Sequence, residues 1–97
     1  MTDIIFHPDI ENEVKFSYGW YQKQADGLGD DFLSELEAAY HMITELPDTW
    51  PKFQRGFRRF LLNRFPFSVI YKYHKKTVFV VAVMHNSRKP DYWNKRA

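Results

Sequence analysis

Between Pro47 and Pro51 the spacing of apolar residues changes character, and that change limits the folds open to this chain. Before it, Ile10, Val14, Tyr18, Tyr21 and Ala25 recur at intervals of three and four, as do Phe32, Leu33, Leu36, Ala39, Tyr40, Ile43 and Leu46. Such intervals line one face of a helix. The first stripe predicts a helix over about residues 8–25, with Pro8 at its start. Asp26-Gly27-Leu28-Gly29 breaks it, and Asp30 is placed to cap a second helix that runs to Pro47. So short a connection makes the two an antiparallel hairpin.

After Pro51 the apolar runs are those of strands, at 57–63, 67–73 and 77–84, separated by Arg64-Phe65-Pro66 and His74-Lys75-Lys76. Connections this short demand an antiparallel meander. The third run, Thr77 to Met84, is almost wholly apolar, which predicts a central strand covered on both faces. Thr2 to Phe6 is a further brief apolar run, a strand that stops at His7-Pro8, and Pro90 can open a last short helix carrying Asp91, Tyr92 and Trp93. The expected order is β-α-α-β-β-β, an α+β single domain over 1–97 with an antiparallel sheet, a helix hairpin on one face and a short C-terminal helix or turn.

With 97 residues, nine Phe, six Tyr and three Trp, the chain has enough aromatic surface for a core. The absence of cysteine excludes disulfide scaffolds, thiolate zinc sites and cysteine nucleophiles. The four histidines are scattered, without the close carboxylate spacing of a ligand set, so no metal and no cofactor are expected. The N-terminus has neither a basic segment nor a long apolar one, and no run approaches a membrane span, which points to a cytoplasmic protein.

Charge is divided along the chain. Residues 1–48 hold eleven acids against two bases, and residues 49–97 hold twelve bases against Asp91 alone, so the halves carry −9 and +11. On the expected fold the acids ride on the outer faces of the helices and the bases line the other face and edges of the sheet. Such a surface suits a polyanion or an acidic partner. Arg58 and Arg59, adjacent in a strand, must point to opposite faces.

Three stretches resemble the RelE/ParE toxins of bacterial type II toxin-antitoxin modules: Gly27-Leu28-Gly29-Asp30-Asp31-Phe32, Phe65-Pro66-Phe67-Ser68-Val69-Ile70-Tyr71, and Ala82-Val83-Met84-His85-Asn86-Ser87-Arg88-Lys89-Pro90 leading to Trp93. The resemblance implies a growth-arresting toxin, of the kind that stabilises plasmids, held silent by a cognate antitoxin. It also implies one of two mechanisms. ParE-like members poison DNA gyrase without hydrolysing a substrate, whereas RelE-like members are endonucleases that cut mRNA in the ribosomal A site. The toxin on its own is expected to be a monomer that forms a hetero-oligomer with its antitoxin.

Cleaving RNA requires a base for the 2′-hydroxyl, positive charge at the phosphorane and a proton for the leaving oxygen. His85, Arg88 and Tyr92 are the candidates, Arg88 and Tyr92 matching an Arg and Tyr pair of the RelE-like enzymes. Those enzymes also carry an arginine where this chain has Ser68, and ParE-like proteins lack it too, so the resemblance leans to gyrase. For a surface that meets antitoxin or target, the candidates are Arg55, Arg58, Arg59, Arg64, Arg88 and Trp93. Lys95 and Arg96 read as solvated tail charge, and Trp93 most simply packs onto the sheet. A further alternative is a non-toxic, basic RNA- or antitoxin-binding module.

Overall fold

The computed structural model describes residues 2–89 and 92–96. Its elements are β1 (Asp3–Phe6), α1 (Ile10–Gln24), α2 (Leu28–Glu45), β2 (Arg58–Leu61), β3 (Phe67–His74), β4 (Thr77–His85) and a 3-10 turn at Asn94–Arg96. The strands form one sheet in the order β1-β4-β3-β2. The expected meander is present, with β2, β3 and β4 antiparallel. The sheet as a whole is mixed, because β1 lies parallel to β4, Phe6 opposite Val80. The two helices intervene between β1 and the meander, which allows the crossover that parallel neighbours require.

The second helix starts earlier than its sequence implies. Gly27, at φ 82°, is the N-cap and no side chain caps the helix, so Asp30 is not the cap. A left-handed φ suits glycine, and the chain thereby turns straight from α1 into α2. Asp30 instead accepts a hydrogen bond from the Tyr18 hydroxyl at 3.1 Å, tying the hairpin together. The helices also approach closely at Gly29, where an added Cβ would lie 2.7 Å from the Tyr18 carbonyl oxygen. Pro90 and Asp91, where the last short helix was expected to begin, lie outside the described residues; the 3-10 turn follows them.

β4 is covered on both faces, as its composition requires. On one face Phe32, Leu36, Ala39 and Ile43 of α2 and Ile10 of α1 pack on Phe67, Val69, Tyr71, Val78, Val80 and Val83. Tyr21, Phe32, Phe65 and Phe67 interlock there, with centroids from 4.8 to 6.2 Å apart. On the other face Phe57, Ile70, Val81, Ala82 and Met84 surround Trp93. A bulge between Ile70 and Tyr71 leaves Val81 without an opposite residue, so Val81 and Ala82 both serve this second core. That face is therefore an apolar layer roofed by 53–57 and 92–96, not the open basic face expected from the charge division. No helix among the described residues is long and apolar enough to cross a membrane.

Candidate functional site

β1 pairs with only the first half of β4, and this leaves a gap along the second half. The last register pair is Phe6 with Val80, after which His7 donates to the Val80 carbonyl and Pro8 directs the chain into α1. Beyond that point a groove of about 640 Å³ runs beside β4, with α1 on one side and the C-terminal segment on the other. His85, Arg88 and Tyr92 all line it, together with Phe16, Trp20, Tyr21, Phe67 and Val83. The three residues expected to carry chemistry thus share one concavity.

Glu13 and Arg96 hold the two walls together. The Glu13 carboxylate accepts from the Val83 amide at 3.2 Å and pairs with Arg96 Nη1 at 2.6 Å. Arg96 Nη1 also donates to the Val81 carbonyl at 3.0 Å, and Nη2 lies 3.4 Å from Asp9. An ion pair thus takes over two edge groups of β4 where strand pairing has stopped, and satisfies them. Arg96 is only 15% exposed, so it is a structural clamp and not solvated tail charge.

Within the groove the Arg88 guanidinium stacks 3.9 Å from the centre of the Tyr92 ring, and that of Arg96 lies 5.0 Å from it. Burial pushes the Tyr92 phenol up to about 12; Glu13 adds to the effect and the two arginines oppose it. At neutral pH Tyr92 is a neutral hydrogen-bond donor that parts with its proton reluctantly. His85 Nδ1 accepts the Ser87 amide at 3.1 Å and lies 2.7 Å from the Ser87 hydroxyl, while the ring packs edge-on to Phe67 at 5.1 Å. A nitrogen that accepts a backbone N–H carries no proton, so neutral His85 bears its proton on Nε2. In that tautomer its free ring donor is Nε2–H.

Over residues 4–90 the chain matches the family model described as the ParE toxin of the type II toxin-antitoxin system, parDE. It belongs to that family. The solved chromosomal ParDE toxin-antitoxin system from P. aeruginosa is similar in fold, with a TM-score of 0.65 and 15% identity over 88% of this chain and 96% of that one. No curated protein sequence matches.

In this ParE-family chain the other candidate residues do not form one basic patch. Trp93 is fully buried, against Phe57 at 4.8 Å, and so is not presented to a partner. Arg58 donates to the Asp48 and Trp50 carbonyls and pairs with the Asp48 carboxylate at 3.3 Å, which fixes the loop after α2. Arg59 points to the opposite face. Its Nε donates to Ser68 Oγ at 2.8 Å, Nη2 donates to Asn86 Oδ1 at 3.3 Å, and the guanidinium lies 4.9 Å from the Phe53 ring centre. Arg64 pairs with Asp31 at 3.4 Å on the surface, and Arg55 lies exposed at φ 52° in the loop before β2. Among the described residues no cluster could hold a metal.

Phe16, Trp20, Glu13 and Asn86 were not among the sequence candidates. Phe16 and Trp20, four apart and off the face that packs on α2, are 78% and 57% exposed. Their spacing was the available signal: a second apolar stripe on a helix that already has one marks a surface kept for contact.

Proposed function

We propose that this chain is the toxin of a type II toxin-antitoxin pair, acts in the cytoplasm by binding DNA gyrase, and is silenced by a cognate antitoxin. Family membership supports the toxin role. The reading against RNA cleavage is carried by His85, whose one available lone pair is engaged by Ser87. With the Tyr92 phenol pushed up to about 12 and the Glu13 carboxylate held by Arg96, the described residues of the groove include no group poised to deprotonate a 2′-hydroxyl. Ser68 points the same way. It is fully buried and bonded to Arg59 and Asn86, whereas the hydrolytic branch has an arginine at this position.

The ribosome-dependent endonuclease reading draws on a different observation, the shared groove of His85, Arg88 and Tyr92. Induction in cells separates the two. Gyrase poisoning should give trapped DNA breaks and an SOS response with mRNA intact. Cuts at fixed codon positions, abolished by Arg88→Ala, would instead establish the nuclease. Harmless expression without an antitoxin would favour the non-toxic binding module.

A further inference from the structure

The turn that follows β4 is exposed from Asn86 through Lys89, yet it places Arg88 in the lining of the groove. A segment with so little packing is held by its hydrogen bonds. Some of these stay local: Ser87 donates to the His85 ring, and the Arg88 amide donates to the His85 carbonyl at 3.0 Å. Among the described residues, those that tie the turn to β2, β3 and the loop before β3 all end on Asn86. Its amide donates to the Pro66 carbonyl at 2.8 Å, and its Oδ1 accepts the Ser68 hydroxyl at 2.5 Å and Arg59 Nη2 at 3.3 Å. Arg59 Nε donates to Ser68 Oγ at 2.8 Å, so the three side chains close a ring of hydrogen bonds. That ring needs two donors side by side, Nε for the hydroxyl and Nη2 for the amide oxygen. The fixed fork of a guanidinium supplies both, whereas a lysine supplies a point charge. Ser68 is fully buried, so its proton has no water to turn to.

We infer that Arg59, Ser68 and Asn86 form a positioning relay that fixes the turn at 85–88 and so holds Arg88 on the Tyr92 ring. Ser68 alternates along β3 with Ile70 of the second core, so the relay reaches the groove from the sheet face away from the helices. Arg59 therefore acts on the groove without touching what enters it. The inference rests on the toxin reading above and names what keeps Arg88 ready for a target. A cation held in place beforehand loses less freedom when a partner meets it. With the ring opened, the side chains of β2 and β3 no longer fix the direction in which the turn leaves the sheet.

The test is the ring-current shift of the Arg88 side chain, read by NMR on the whole chain. Its signals should lie upfield in the wild type, where the guanidinium stacks on Tyr92, and Tyr92→Leu should abolish the shift. Asn86→Ala and Arg59→Lys should each lose most of it, while the His85 ring signals, set by the edge-on Phe67 ring, stay in place. Asn86 is exposed, so its truncation leaves both cores intact. Asn86→Asp still offers oxygen to both donors and should keep the shift. Folded variants in which the shift survives both Asn86→Ala and Arg59→Lys overturn the relay, and so does its loss in Asn86→Asp. With purified gyrase, Asn86→Ala, Arg88→Ala and the double variant should lower the yield of trapped DNA breaks by one common factor, because the relay acts only through Arg88. Losses that multiply overturn it. A wild type that traps no breaks overturns the gyrase reading instead, and the NMR result still decides the relay.

Discussion

Trp93 illustrates how burial decides between roles that composition leaves open. Its ring fills the core on the face away from the helices, between Phe57 and the Val81–Met84 stretch, and its indole N–H has no partner there among the described residues. Trp93→Ala should therefore destabilise the fold by about 3–5 kcal/mol, the usual cost of emptying a large aromatic site. Denaturant titration measures it. Trp93→Phe should recover most of that loss, since it retains a ring and removes a buried donor that lacks an acceptor. Arg96 teaches the same lesson from the other side. Beside Lys95 in a basic tail it reads as solvated charge, yet it reaches a carboxylate 83 positions earlier. Local charge density gives no sign of such a partner.

The helix hairpin depends on a close approach that only one residue allows. Gly29→Ala would drive a Cβ against the Tyr18 carbonyl, which is backbone and cannot rotate aside, so α1 and α2 must separate. The expected cost is about 1–3 kcal/mol, seen as a lower thermal midpoint, and Gly19→Ala, with open space around it, is the control. Most of the element order was legible in the sequence because each element keeps a clean period. The helical stripes, the meander and the doubly covered β4 all follow from spacing alone. The parallel seam between β1 and β4 was not, since a four-residue strand carries no mark of its partner's direction. Nor was the start of α2, where the positive φ of Gly27 overrode the cap that Asp30 could have supplied. For the site, His85, Arg88 and Tyr92 were found because they follow the last strand closely. Glu13, Phe16 and Trp20 were not, because their meeting with β4 exists only once α1 has crossed the sheet.

Across the fold, three buried or half-buried tyrosines bias stability toward the acid side of their titration. Burial pushes Tyr71 and Tyr92 each up to about 12, and raises Tyr40 further still. The unfolded chain releases these protons near pH 10, before the folded one does, so above pH 10 the unfolded state binds fewer protons and stability falls as pH rises. The contribution is complete below pH 10 and is lost through about pH 12. Chemical denaturation at intervals from pH 8 to 12 should show that decline, and Tyr92→Phe should flatten part of it. The groove also has a history in time. One wall comes from α1 and the other from 92–96, and the Glu13–Arg96 pair that joins them closes nearly the whole described chain. During vectorial synthesis α1 emerges early and waits, its Phe16 and Trp20 uncovered, until the residues that complete the groove have been made. One wall is thus made well before the other, which gives a partner already present the chance to meet the nascent protein before the groove is complete.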